Sequence, residues 1–147
     1  HEKGVQMKDK RNLHLKMQEQ IECFAGTDYL TELAAVKDEP DMEQAALKWL
    51  ALSVLHGINA NAEKISLERT EEGTISIVAK YRETELPDPG KTVADKVLES
   101  MRDIIHVESD KGEMPLSVGV RDSSVDMKIK VKRDDKKEKL VLKFPEK

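Results

Sequence analysis

Two β-strands are indicated by the stretch VDMKIKVKRDDKKEKLVLKF, which spans residues 125–144. In its first half, apolar residues alternate with polar ones, which is the pattern of a strand that buries one face. The charged segment 133–138 predicts an exposed turn, and a second strand follows in which Leu140, Leu142 and Phe144 supply the apolar positions. The stretch therefore predicts a C-terminal β-hairpin with one apolar and one charged face.

The charged face of this hairpin is rich in lysine. Lys128, Lys130 and Lys132 occupy alternate positions, so we expect them to project from one face of the strand. Residues 123–147 carry nine basic and five acidic side chains, net +4, whereas residues 1–122 carry 16 basic and 24 acidic ones, net −8. The plain interpretation is a solvated strand face protected by lysines; the functional ones are a docking face for an acidic protein or a nucleic-acid site. Nucleic acid is unlikely as a partner, because the sequence lacks interleaved aromatic residues and groove-reading motifs.

The preceding residues predict the rest of a mixed fold. Alternating apolar residues over 65–81 predict another hairpin. A largely apolar segment, 42–56, predicts a buried helix that Asp41 caps, and an amphipathic helix is predicted from its cap, Thr92, to Ile105. With a further short strand before the last hairpin, the order is helix, two strands, helix, three strands. We therefore expect an α+β fold of two layers, in which an antiparallel sheet of about five strands carries helices on one face.

Residues 1–40 are charged and predict helices that precede this domain. Four apolar residues recur at intervals of three or four and share one helical stripe: Leu13, Met17, Ile21 and Phe24. A second short helix is predicted over 28–37, capped by Thr27, and Pro40 then breaks the chain. We therefore divide the chain into a helical N-terminal segment, 1–40, and an α+β domain, 41–147. The segment is either a helical module or a linker that docks on the domain.

The composition narrows the class of protein. The chain has 147 residues, 38% of them hydrophobic, which fits one modest domain with or without appended helices. Charged residues make up 37% but nearly cancel to a net charge of −4, so a folded protein is expected. The single Cys23 excludes an internal disulfide and is expected to be a small core residue. The sequence has neither an apolar run of about 20 residues nor a signal peptide, so we expect a cytoplasmic protein without a membrane span.

The sequence offers no clear catalytic, metal or cofactor site. The four histidines have no neighbouring cysteine or carboxylate at the spacing of a metal site. The segment 89–92, Pro-Gly-Lys-Thr, matches part of a phosphate loop, but Glu85 stands where that loop needs its first glycine. No nucleophile, base and orienting group occur together. We therefore expect a protein that is not an enzyme and that needs no cofactor or metal.

The order of elements and several short motifs resemble one known family. In the domain that precedes the motor of the type II secretion and type IV pilus assembly ATPases, a helix runs into Ala-Ser-Asp-Ile-His-Ile-Glu, and a strand of Val-Arg-Phe-Arg type follows. Residues 62–68, AEKISLE, and 79–82, AKYR, are similar to these two motifs. The closing hairpin of the family, Val-Asp-Leu-Arg-Val-Ser and then Gly-Glu-Lys-Val-Val-Leu-Arg, is similar to residues 125–130, VDMKIK, and 137–143, KEKLVLK. The resemblance covers roughly residues 45–144.

The resemblance implies a PAS-like domain without catalytic activity of its own. In that family this domain moves against the motor and lends basic residues to nucleotide phosphate; at the matching positions this chain has Lys80, Arg82 and Lys128. The motor is not among the 147 residues, and because the chain begins at His1 without an initiator Met we interpret it as a fragment or as a chain that carries the remnant of a tag. We therefore expect a regulatory or assembly domain of a bacterial secretion or pilus system, acting through protein–protein contact, with a homo-oligomer as one possible assembly.

Five residues are the candidates for contact with phosphate or with the partner: Lys80, Arg82, Lys128, Lys130 and Lys132. The expected partner is a protein of the secretion or pilus machinery or an ATPase motor domain. The alternative function is a PAS-like module that senses a small ligand or a nucleotide. Its cavity is expected between the sheet and the helices, around Trp49 and Met101.

Overall fold

The computed structural model describes the backbone of residues 2–80, 84–85, 87–120 and 123–145, and the side chains of residues 13–79, 87–120 and 123–145. These ranges contain four α-helices and six β-strands. In chain order they are α1 (Glu2–Phe24), α2 (Tyr29–Ala35), α3 (Met42–Asn59), β1 (Lys64–Thr70), β2 (Ile75–Lys80), β3 (Thr84–Glu85), α4 (Lys91–Ile105), β4 (Lys111–Val120), β5 (Ser123–Arg133) and β6 (Lys137–Lys143). A short 3-10 helix, Val36–Asp38, follows α2.

The strands form one antiparallel sheet in the order β3-β2-β1-β6-β5-β4. Strand β1 lies near the centre, where it pairs with β2 of its own hairpin and with β6 of the C-terminal hairpin. Strand β3 has only two residues, so five strands make up the body of the sheet. The expected α+β fold, with an antiparallel sheet of about five strands and helices on one face, is confirmed.

One face of the sheet packs on the helices. Its buried side chains come from alternate positions of the central strands and include Ile65, Leu67, Ile129, Leu140 and Leu142, none more than 1% exposed. They belong to one apolar core together with side chains of α3 and α4. Removal of this apolar surface from water is the main favourable term in the folding of the sheet.

Helix α3 is the centre of the helical layer. Twelve of its 18 residues are buried, among them Trp49 and Leu52. The helix contacts α1, α2 and α4 as well as β1. A helix that is apolar around most of its circumference must be covered on most sides, so the predicted buried helix at 42–56 is confirmed.

Helix α1 packs on the same core. It contacts α3 and α4, and its residues Leu13, Met17 and Ile21 belong to the apolar cluster that contains the buried sheet residues. The Gln18 side chain also bonds the edge strand β4, where its Oε1 accepts from the Gly119 N–H at 2.8 Å. Helix α1 therefore docks on the α+β part of the fold, and the domain boundary at residue 40 stays a prediction.

The predicted cap of α2 is wrong by one residue. Asp28 caps this helix, because its Oδ1 accepts a hydrogen bond from the Thr31 N–H at 3.3 Å. This bond lowers the pKa of Asp28 below its ordinary value. Thr27 Oγ1 is already engaged, since it donates to the Phe24 carbonyl at the end of α1. The carboxylate is also the better partner for the positive end of the helix dipole.

The predicted cap of α4 is also wrong. The helix begins at Lys91, and Gly90 rather than Thr92 occupies the cap position. Gly90 has φ +91°, a conformation that favours glycine, and its N–H donates to Asp88 Oδ1 at 2.7 Å. This tight turn starts the helix before Thr92 is reached.

Helix α3 begins as predicted and extends a few residues past the predicted segment, 42–56. Asp41 Oδ1 accepts from the Gln44 N–H at 3.2 Å, which confirms the cap. The helix then continues to Asn59. A Cβ at Gly57 would overlap the ring of Phe144, so this glycine permits close approach of the C-terminal segment instead of ending the helix.

The expectation that Cys23 is a core residue is wrong. Ile21 of the same helix is fully buried, whereas Cys23 is exposed. Two residues along an α-helix turn about 200° around its axis, so Cys23 points away from the buried stripe.

Candidate binding face

Nine lysines occupy the face of the sheet that is opposite the helices. Successive residues of a strand point to opposite faces, so the neighbours of the buried positions belong to this face. We call the surface that these lysines form the lysine face: Lys64, Lys80, Lys111, Lys128, Lys130, Lys132, Lys137, Lys139 and Lys143. Lys80 is assigned to it by its backbone pairing with Lys64.

Four of these lysines form a row across four strands. Lys64 of β1 stands opposite Lys80 of β2 on one side and opposite Lys143 of β6 on the other. Lys143 in turn stands opposite Lys128 of β5. We call these four residues the first lysine row. Like charges directly opposite each other destabilise a sheet, so stability alone does not explain this arrangement.

A second row lies four residues further along the strands. It consists of Lys139 of β6, Lys132 of β5 and Lys111 of β4, each opposite the next. On β1 the row ends in Glu68, which stands opposite Lys139. We call the three lysines the second lysine row.

An uncharged strip lies beside the first row on β2, β1 and β6 and separates it from the second row on β6; on β5, Lys130 stands opposite Val141 and ends the strip. The strip consists of Val78, Ser66 and Val141, which are paired across the three strands. Val78 is 38% exposed, whereas Val141 is 7% exposed. Val141 lines a cleft of about 290 Å³ that is otherwise bordered by charged side chains, most of them lysines. The long apolar stems of lysine can cover such a side chain while their ammonium groups stay in water.

The positive charge of the lysine face is only partly compensated. By strand position, and among the residues whose side chains the structure describes, three carboxylates share the face with eight lysines, which leaves a net charge of +5: Glu68, Glu113 and Asp126. Glu68 lies 3.9 Å from Lys137 Nζ and Glu113 lies 3.8 Å from Lys143 Nζ. Such long, exposed pairs contribute little. The side chains that the structure describes place no carboxylate within 4.0 Å of Lys64, Lys128, Lys130, Lys132 or Lys139.

The structure brings together most of the predicted contact residues. Lys128, Lys130 and Lys132 are exposed on one strand face, as their spacing predicts. Lys80 joins them through the first lysine row, whereas Arg82 lies outside the described residues. Sequence reasoning missed Lys64 and Lys111. Each is a single lysine at the start of a strand, and only the pairing of the strands reveals its neighbours.

The buried arginine belongs to a structural ion-pair network. Arg102 of α4 is 6% exposed, and its Nε lies 2.9 Å from Glu138 Oε2 in β6. Glu138 Oε1 also lies 3.5 Å from Arg69 of β1, whose Nε lies 2.5 Å from Asp95 of α4. The network ties α4 to the two central strands. Its arginines are already paired with carboxylates, so they offer no free site for phosphate.

The position proposed for a ligand-sensing cavity is tightly packed. Trp49 and Met101 are 0% and 1% exposed. The Nε1 of Trp49 is buried, and within the described residues no acceptor bonds it. A larger cavity of about 660 Å³ opens elsewhere, between the end of α3 and the C-terminal segment, and is lined by residues such as Ile58, Val125 and Phe144. The sensing function stays a prediction.

The described residues contain neither a cluster of metal ligands nor a membrane-spanning helix. In the part of the chain that the structure describes, no three histidine, cysteine or acidic side chains are grouped as a metal site would need. Within the same part, no helix combines the length and the apolar character needed to cross a bilayer.

His56, near the end of α3, is 8% exposed, and desolvation by burial lowers its pKa.

No family model matches this chain, and no curated protein matches it either. The resemblance to the motor-preceding domain of the secretion and pilus ATPases therefore stays a prediction. The lysine face is a feature of this chain's own structure and does not depend on that resemblance.

Proposed function

We propose that this chain is a noncatalytic binding domain that docks an acidic surface of a partner protein on its lysine face. The observation that carries the proposal is the pair of lysine rows, seven like charges on adjacent strands, most of them without a carboxylate partner among the described side chains. An acidic partner would relieve their mutual repulsion on binding. Complementary charge of this kind speeds encounter and selects the partner.

A protein is a better match to this face than a nucleic acid. Single-stranded nucleic acid is bound on aromatic side chains that stack with the bases. The aromatic side chains that the structure describes lie elsewhere: Trp49 is buried, and Phe24, Tyr29 and Phe144 pack against the helical core. Among the residues that the structure describes, every basic residue on the face is a lysine, which lacks the bidentate geometry that arginine uses on phosphate.

The resemblance to the secretion and pilus ATPases supplies a candidate for the partner. It would be a protein of the secretion or pilus machinery or an ATPase motor domain, in the bacterial cytoplasm. The chain would then act as a regulatory or assembly domain without catalytic activity or a cofactor of its own.

The test is affinity capture with a charge-reversed variant. We expect the unaltered chain to retain a motor protein or a pilus-machinery subunit, and the Lys128→Glu/Lys132→Glu variant to lose it. The control, Lys37→Glu/Lys96→Glu, changes the net charge equally on the helical side and should retain the partner. Equal retention by both variants, or repeated failure to retain any such protein, would contradict the proposal.

A further inference from the structure

The uncharged strip runs across the sheet, roughly perpendicular to the direction of the strands. Val78, Ser66 and Val141 are cross-strand neighbours, so the strip follows the direction of the backbone hydrogen bonds. Strands lie about 4.8 Å apart, and the strip is therefore about 10 Å long from β2 to β6. A partner segment that follows the strip must cross several strands.

The two lysine rows flank the strip together on β6, where Lys143 and Lys139 lie on either side of Val141. On β1 the strip has Lys64 on one side and Glu68 on the other. On β5 the rows are represented by Lys128 and Lys132, and on β6 by Lys143 and Lys139, four residues apart in both strands. At about 3.3 Å per residue, the rows are about 13 Å apart. An α-helix with its side chains is about 10–12 Å wide, so a helix on the strip reaches both rows with its flanks.

An extended segment fits this surface less well. The backbone groups of β1, β5 and β6 are already bonded within the sheet, because each of these strands has a neighbour on both sides. An extended chain lying across the strands would find few partners there for its own backbone N–H and C=O groups. A helix satisfies these groups internally and needs only side-chain contacts.

The cleft above Val141 gives the β6 end of the strip an apolar floor. It has a volume of about 290 Å³, and lysines of both rows, including Lys64, Lys143, Lys132 and Lys139, border it. One apolar side chain of the partner can enter this cleft while acidic side chains on either side meet the ammonium groups. An apolar stripe with acidic flanks is the pattern of an amphipathic helix.

We propose that the occupant of the lysine face is an acidic amphipathic helix of the partner protein, lying across the strands along the uncharged strip. Its apolar stripe contacts Val78 and Val141 and then passes over Lys130. One acidic flank faces the first lysine row, and the other faces the second row on β6, β5 and β4. This inference rests on the proposed function and adds the shape and the chemistry of the partner segment.

The test compares three synthetic peptides of about 15 residues, each long enough for about four helical turns. The first has leucines on one helical stripe and glutamates on both flanks. The second has the same residues in an order that scatters the leucines, and the third is polyglutamate. Fluorescence anisotropy of labelled peptides, titrated with the full chain, measures the affinities. We expect the first peptide to bind about tenfold tighter than the other two.

Two variants locate the effect on the strip. Val78→Ser/Val141→Ser should reduce the affinity for the first peptide to that of the scattered peptide, while the affinity for polyglutamate stays unchanged. The control, Leu30→Ser, removes an exposed apolar side chain from the helical side and should change neither affinity. Circular dichroism checks that the variants fold. If the double variant fails to fold, the affinities of the three peptides for the unaltered chain still decide whether a helix is the occupant.

The outcomes separate this inference from the proposed function. Equal binding of the first two peptides would overturn the helix while leaving an acidic docking face. Failure of all three peptides to bind, together with a partner still captured through the lysine face, would also overturn the helix alone. Tighter binding of duplex DNA or of anionic phospholipid vesicles than of any peptide would overturn both.

Discussion

The two faces of this sheet are built from the same strands but have opposite chemistry. On β5, Ile129 is fully buried against the helices while the next residue, Lys130, is exposed on the lysine face. On β6, Leu140 is fully buried and Lys139 belongs to the second lysine row. Strand geometry thus assigns folding to one set of alternate residues and binding to the other. Substitutions on the face that the helices cover should therefore change stability, and substitutions on the lysine face should change binding.

The largest expected effect comes from shortening a buried side chain on the face of the sheet that packs on the helices. Leu140→Ala should lower the free energy of unfolding by about 2–5 kcal/mol, because Leu140 is 0% exposed and its removal leaves a void. The neighbouring control, Lys139→Ala, should change it by less than about 0.5 kcal/mol. Urea denaturation of both variants measures the difference. Similar losses of stability in the two variants would contradict the assignment of folding to one face of the sheet and of binding to the other.

A buried charge should be tolerated on the covered side only while it is paired. Arg102→Ala should lower the free energy of unfolding by about 2–3 kcal/mol, because it removes a buried partner of Glu138 and leaves the carbonyl of Ser109 without its donor at 2.6 Å. The control is Arg133→Ala, which breaks an exposed pair with Asp110 and should cost less than about 1 kcal/mol. Equal costs, measured by denaturation, would mean that burial of the pair is unimportant.

On the lysine face, a charge reversal should raise stability while it reduces binding. Lys143 stands between Lys64 and Lys128, so Lys143→Glu turns two repulsive neighbours into attractive ones. It also removes the long, exposed pair with Glu113 at 3.8 Å, which contributes little. The free energy of unfolding should rise by about 0.5 kcal/mol at low ionic strength. High salt should remove most of this gain, because it screens exposed charges. A loss of stability at low salt would show that the lysine rows do not repel each other.

The smallest effect is a pH dependence that arises on the helical side. Burial lowers the pKa of His56, so the folded state favours the neutral imidazole and the unfolded state binds a proton more readily. The resulting stability is present above the unfolded pKa, near 6.5, and is lost as the pH falls below it. His56→Gln should make this part of the decline smaller in thermal or urea unfolding at pH values on both sides of the unfolded pKa. An unchanged pH profile would exclude His56 as its source.

Much of the fold follows from local patterns in the sequence. The alternation in residues 65–81 and 125–144 predicts the two hairpins, and Asp41 marks the start of the buried helix. These signals work because side-chain period and capping depend on neighbouring residues alone. The cap of α4 escaped prediction, because the turn formed by Asp88 and Gly90 competes with Thr92.

The long edge strand β4 also escaped prediction in part. The sequence indicates a strand only near its end, whereas β4 runs from Lys111 to Val120 and includes Pro115. Proline is compatible with an edge strand because a missing N–H on the outer side breaks no ladder bond. At the other end of the strand, Gln18 bonds the backbone of Gly119. Both features protect an edge that could otherwise pair with another chain.

The lysine face could be predicted only in part, because it depends on contacts between distant residues. The spacing of Lys128, Lys130 and Lys132 suffices to place them on one face. The first lysine row also needs Lys64 beside Lys143, and that neighbourhood arises from the pairing of β1 with β6. Register between strands that are far apart in sequence is set by the burial of their apolar faces, which a single sequence does not display.

Methyl-resolved NMR of valine side chains tests the docking on the lysine face most directly. Val78 and Val141 belong to the uncharged strip, whereas Val97 of α4 and Val131 of β5 are buried in the core on the covered side. In a titration with the acidic amphipathic peptide, the signals of Val78 and Val141 should shift while those of Val97 and Val131 stay in place. Binding of the peptide with shifts confined to Val97 and Val131 would contradict docking on the lysine face.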